Sequence, residues 1–186
     1  MIHGRICISR HVVYNTENTL DDTYIIIPVS NSHTRLAEIE HIESWSKDNN
    51  LTLNRSKIVE VIFVDKKRKL TATLPPPISG ISRSTCLKIL GVTITSSLSV
   101  ADHIHTIVTS CSQTLHALRV LHSQGLPAEG LFEVYRGVVI AKLLYAASAW
   151  WRFTSADDKQ RLAAFIRRSI RQGFCAPDLA IFFLIL

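Results

Sequence analysis

The stretch Leu20-Asp21-Asp22-Thr23-Tyr24-Ile25-Ile26-Ile27-Pro28 decides how the rest of the chain is read. Two adjacent carboxylates stand directly before an apolar run that is too short for a helix and ends at a proline. That pattern predicts a tight turn carrying two negative charges and feeding a buried strand. Hard cations such as magnesium seek carboxylate oxygens, so such a turn can hold one. Aspartate is also an ordinary turn residue that hydrogen-bonds its own backbone. The pair alone leaves both roles open, and the flanking sequence has to choose.

Downstream, the period becomes helical over residues 34–49. Leu36, Ile39, Ile42 and Trp45 recur at three-residue spacing and are expected to face inward, with Glu38, Glu40, Glu43 and Lys47 outward. Asn49-Asn50 closes the helix, because Asn tolerates the left-handed cap conformation. Residues 58–64 predict a second strand, 65–69 a basic turn and 70–73 a short strand. Pro75-Pro76-Pro77 is a stiff extended break. Residues 86–95, centred on Leu90-Gly91-Val92, predict one further strand, with Gly91 marking a bulge or a close backbone approach.

The second half is helical in period. Ile104, Ile107, Val108, Cys111, Leu115, Leu118 and Leu121 share one face of a helix of about 20 residues. Gly125 and Pro127 end it, and Leu131, Val134, Tyr135, Val138 and Val139 begin another that runs to about Ala149. Ser155-Ala156-Asp157-Asp158 is like a capping box and starts a third helix. That helix buries Leu162, Phe165, Ile166 and Ile170 and displays Arg161, Arg167, Arg168 and Arg171. Between Arg152 and Arg171 six basic residues face two aspartates, an excess suited to a phosphate backbone or to a solvated helix face. Upstream, residues 6–8 and 12–14 have strand character, but residues 1–19 as a whole stay unplaced.

The totals set outer limits. A chain of 186 residues, 47% hydrophobic and 19% charged, can build a real core and is not wholesale disordered. A net charge of +6 favours an anionic partner. Cys7, Cys86, Cys111 and Cys175 are far apart and form no Cys-x-x-Cys pair, which fits a reduced intracellular protein. His103 and His105 are expected as ordinary helix residues rather than metal ligands. Residues 1–10 have no sustained apolar core, so no secretion signal is expected. The terminal apolar run, Leu179 to Leu186, is far shorter than the ~20 residues of a membrane span. It is expected to be a short packing segment or a tail of altered reading frame.

Taken in order, these features resemble the reverse transcriptases of non-LTR (LINE-type) retrotransposons. Asp21-Asp22-Thr23-Tyr24 with its strand is similar to the family's catalytic turn. Ile42-Glu43-Ser44-Trp45-Ser46 follows, then Asn49-Asn50-Leu51-Thr52-Leu53-Asn54-Arg55-Ser56-Lys57, then the strand at Ile62-Phe63. Leu87-Lys88-Ile89-Leu90-Gly91-Val92 is similar to the primer-grip strand. His103, Leu118-Arg119, Leu131 to Tyr135, Leu144-Tyr145 and Ala149-Trp150 fall in the order of the family's thumb. The resemblance covers roughly residues 20–155.

It implies an α+β fold: a small antiparallel palm-like sheet with a packed helix, then an all-α, thumb-like region of three helices. The expected divisions are an unplaced segment at 1–19, a partial palm at 20–98, the thumb-like region at 99–174 and an apolar tail at 175–186. The implied activity is RNA-directed DNA polymerisation with Mg2+, an RNA template and a DNA primer, and no membrane. Asp21 would be the direct metal ligand with Asp22 beside it. Lys57 would neutralise or protonate the leaving diphosphate, and Leu90 and Gly91 would let the backbone lie close to the primer. Arg161, Arg167, Arg168 and Arg171 would grip nucleic acid.

The chain departs from the family in front of the aspartates. Thr19-Leu20 stands where the family has an aromatic residue and alanine. Residues 1–19 do not resemble the upstream palm, and the separate catalytic aspartate, the fingers and the template-binding segments have no counterpart. Loss of a carboxylate from a site that works by electrostatic stabilisation typically costs 10² or more in rate. The expectation is a truncated polymerase domain, inactive alone. The alternative is a non-catalytic nucleic-acid-binding module built on the thumb-like helices. A metal-dependent nuclease ranks third, because nothing further is spaced to complete its site.

Overall fold

Strand-forming sequence before residue 64 gathers into one sheet in the computed structural model. It describes residues 6–15, 20–64 and 74–175, with backbone alone at 6–15, 20–23 and 29. The chain divides into two units, one formed by residues 1–88 with 94–98, the other by 89–93 with 99–186. The expected turn and strand at 65–73 and the C-terminal tail beyond Cys175 lie outside the described residues.

In the first unit, β1 (Ile6–Asn15) and β2 (Leu20–Pro28) form an antiparallel pair from Ile6↔Pro28 to Tyr14↔Leu20. The two upstream strand segments are therefore one strand. Asp21 and Asp22 lie inside β2, opposite Val13 and Val12, rather than in a turn before it. The ladder extends this far because the backbone groups of β1 need partners along its whole length. The other side of β1 pairs with β4 (Val59–Phe63) and, towards its end, with β3 (Leu51–Leu53). The sheet order is β2-β1-β4-β5, with β5 (Ser82–Ser84) parallel to β4, so the sheet is mixed where an antiparallel one was expected. The long connection between β4 and β5 is what permits a parallel pair.

β4 is central and buried on both faces at Glu60, Val61, Ile62 and Phe63. β2 pairs with β1 alone and alternates, Ile27 buried and Ile26 exposed, so it is an edge strand rather than a fully buried one. Ile27 and Ile62 form a small core with Ile25 and Val64 packed on it. Beyond Pro28, a 3-10 turn (Val29–Thr34) leads into α1 (Arg35–Asp48), which packs against β3. Its buried residues are Arg35, Ile39 and Ser46, while Leu36 and Trp45 are exposed. The expected inward face holds at Ile39 and is corrected at Leu36 and Trp45. A strict three-residue step falls short of the 3.6-residue turn and winds round the helix, whereas Arg35, Ile39 and Ser46 stay on one side.

Residues 86–95 form two strands, β6 (Cys86–Ile89) and β7 (Val92–Thr95), where one was expected. Leu90 and Gly91 connect them with φ of 44° and 85°. Two successive positive φ angles are the requirement of a type I′ hairpin turn, so Gly91 marks a reversal and not a bulge.

The second unit is helical. α2 (Ala101–Ser123) buries His103, Ile104, Ile107, Cys111, Leu115 and Leu118. The expected helix from Leu131 to Ala149 is interrupted: α3 (Ala128–Val134) passes into a π-helical stretch (Tyr135–Ile140), then α4 (Ala141–Leu144), and Ala146 at φ 50° separates α5 (Ala147–Trp150). α6 (Ala156–Arg171) begins as expected. Ser155 Oγ accepts from the Asp158 N–H and donates to its carboxylate. Trp150 is fully buried, edge-on to His103. Burial pushes the Cys111 thiol up to about 11, so it stays protonated and unreactive at neutral pH. The Tyr135 hydroxyl is buried, and burial raises it too. Helices and strands are thus both present, and no helix among the described residues is long and apolar enough to cross a membrane.

Candidate nucleic-acid interface

The sequence-predicted residues fall into three places. The first is the end of the sheet in the first unit. Val13 of β1 lies between Asp21 on one side and Leu53 on the other, so Asp21 stands two strand spacings, about 10 Å, from Leu53. After Leu53, Asn54 caps a single 3-10 turn (Arg55–Lys57) by accepting from the Ser56 N–H. An Arg55–Glu43 ion pair ties that turn to α1, and the Arg55 guanidinium holds the half-buried Glu43 carboxyl below its usual range. Lys57 is exposed at the end of the turn. The sheet therefore brings the aspartates and the segment carrying Lys57 to one end. The side chains of Asp21 and Asp22 lie outside the described residues. Among the described residues no three His, Cys, Asp or Glu side chains gather as a cation site.

The second place is the hairpin tip, which belongs to the second unit with Tyr145. Leu90 is 78% exposed and holds a left-handed φ that costs a residue with a Cβ about 1–2 kcal/mol. The Tyr145 hydroxyl donates to the Leu90 carbonyl at 2.9 Å, and a Cβ on Gly91 would stand 3.5 Å from the Tyr145 ring. The Trp150 indole N–H donates to the Tyr145 carbonyl at 2.9 Å. A buried tryptophan thus positions the tyrosine that steadies a strained, solvent-facing turn.

The third place is α6, where the four arginines do not share a face. Arg161 and Arg168 point towards α2, bonding His105 Nδ1 at 2.9 Å and Ser112 Oγ at 2.8 Å. Arg167 and Arg171 line a separate hollow with Ala164 and Ile170. Positions seven apart superpose on a helix; Arg167 lies about 100° from Arg168. An open groove of about 480 Å³ runs beside Arg161, lined from α2 by His105, Val108, Thr109, Ser112, Gln113 and His116. Sequence reasoning missed this wall, although His105, Ser112 and His116 recur at helical spacing beside the apolar stripe. It also missed Tyr145 as a positioning residue, for which no local signal exists.

No protein-family model matches the chain, and no curated protein or solved structure is significantly similar to it.

Proposed function

We propose that this chain is the partial palm and thumb of an RNA-directed DNA polymerase of the non-LTR retrotransposon type, inactive by itself and able to bind nucleic acid. One observation carries the reading. The Asp21-Asp22 pair lies next to the β1–β2 connection, and across β1 from it lies the segment that ends in Lys57. The strained Leu90-Gly91 tip supports it further, because exposed strain held by a dedicated tyrosine suits a turn that meets a ligand. A magnesium ion takes one or two protein carboxylates together with substrate phosphates, and Asp21 and Asp22 would supply that number. Such an ion stabilises the attacking and leaving oxygens of an in-line phosphoryl displacement. Lys57 would meet the charge on the leaving diphosphate.

Inactivity follows from the count of carboxylates. Residues 1–19 contain one acidic residue, Glu17, and no aspartate to complete the site. Primer extension with magnesium on an RNA template, comparing the chain with Asp21→Ala, tests this. Neither protein should extend the primer. Robust synthesis lost on Asp21→Ala would overturn the inactivity and establish the metal role.

A further inference from the structure

α3, the π-helical stretch and α4 continue into one another from Ala128 to Leu144. Positions four apart fall nearly on one line of a helix, and Leu131, Tyr135, Val139 and Leu143 form the buried line of this rod. The line two residues on, Glu133, Gly137 and Ala141, lies on the opposite side and is exposed throughout. A helix buried along one side ordinarily shows charge on the other. This one shows a bare backbone at Gly137, with Val134 39% and Val138 41% exposed beside it.

Nothing in the fold calls for glycine at position 137. The residue does not hold a positive φ, and among the described residues a Cβ there would meet no other element within 4 Å. Inside a helix glycine is poorer than any residue except proline, so alanine would serve the isolated chain better. What glycine offers is a place where a second backbone can come close. The π-helical turn falls on the same residues, a form met mostly as single turns and often at functional sites. Val134, Gly137, Val138 and Ala141 follow the three- and four-residue steps of a seam between two helices.

Charge selects the occupant of that seam. The exposed charges of the rod run from acidic to basic, Glu129 and Glu133 first, Arg136 and Lys142 after. A copy of the same helix turned end for end carries the complementary order by symmetry. We propose that a second copy of this chain docks on this face, the two rods antiparallel about a two-fold axis between Gly137 and Val138. Val134 then stands opposite Ala141 of the other copy, and the Glu133 end of each rod meets the Lys142 end of the other. Lys142 donates to Ser110 Oγ at 2.7 Å on its own chain, and its ammonium keeps two further donors for a carboxylate. None of these residues is among those proposed to meet metal or nucleic acid.

Sedimentation velocity of the full chain, at concentrations rising to about 100 µM, tests this and should show monomer passing into dimer. Gly137→Lys puts a long side chain at the two-fold axis and should weaken dimerisation on the order of tenfold or more. Far-UV circular dichroism of that variant should show its helix content kept, since lysine is the better helix former. Glu133→Lys sets like charges together at both ends of the seam and should weaken dimerisation on the order of tenfold. Adding Lys142→Glu to Glu133→Lys restores opposite charges across the axis and should restore the dimer, which a merely structural defect would not do. A full chain that stays monomeric at about 100 µM overturns the proposal. So does a dimer that Gly137→Lys or Glu133→Lys leaves as strong as before, or one that the double reversal does not rescue.

Discussion

Glu60 sits in a stretch whose other members, Ile58, Val59, Val61, Ile62 and Phe63, read as a buried strand, and it is itself only 1% exposed. A charge so placed survives only when paired and hydrogen-bonded. Arg35 Nη1 donates to one carboxylate oxygen at 2.5 Å, and Arg83 donates to the other through Nε at 2.8 Å and Nη2 at 2.6 Å. Both arginines also donate to the Pro76 carbonyl, at 3.1 and 3.2 Å. One carboxylate therefore fastens α1, β4, β5 and the proline segment together. Glu60→Ala leaves Arg35 buried without its counter-charge and should lower the unfolding free energy by about 3–5 kcal/mol in chemical denaturation. Glu60→Gln keeps the shape and part of the hydrogen bonding, and should cost less. A loss within about 0.5 kcal/mol for Glu60→Ala, the size of an ordinary surface substitution, would contradict this account. The strand was legible from its β-branched residues. The network was not, because Arg35, Glu60 and Arg83 are separated by more than twenty residues and only the fold brings them together.

The β6–β7 hairpin shows the same limit for an element. A two-residue I′ turn favours Asn-Gly, and this chain has Leu-Gly. With Leu90 apolar and hydrophobic periodicity unbroken, residues 86–95 look like one strand; the reversal shows only in the positive φ values. Leu90→Asn should relieve the left-handed strain and raise stability by about 1 kcal/mol in thermal denaturation. If the tip meets the primer and its exposed leucine takes part, the same substitution should weaken binding to a primer–template duplex. A variant that is less stable yet binds as before would sink both halves of that prediction. The helices were more legible. The N-cap at Ser155 and the apolar stripe of α2 from Ile104 to Leu118 follow from local sequence, since both depend on spacing within a few turns, whereas Leu121, expected on the same face, is exposed. The π-helical stretch and the break at Ala146 do not: the chain stays helical through Gly137, and the break at Ala146 falls where no Gly or Pro stands.

At the scale of the molecule, the division into strand-rich and helical units follows the change of hydrophobic period, but the units do not divide the chain at one point. The hairpin tip, residues 89–93, is grouped with the helices, whereas residues 94–98 return to the first unit. A cut in the loop before α2, where sequence alone would place it, therefore strips the helical unit of part of its own structure. Val92, a buried residue of the tip, would be missing, and so would the bond from Tyr145 to the Leu90 carbonyl. Burying a valine contributes at least about 1.5 kcal/mol and a hydrogen bond about 1 kcal/mol. A fragment spanning residues 86–175 should accordingly be more stable than one spanning 99–175, by about 2–4 kcal/mol in denaturation followed by far-UV circular dichroism. The added strand β6 contributes residues of the first unit, so Tyr145→Phe in the longer fragment isolates the bond. That substitution should recover about 1 kcal/mol of the difference. Equal stability of the two fragments would mean that the tip adds nothing to the helical core, and that Leu90 and Gly91 are strained for no structural return.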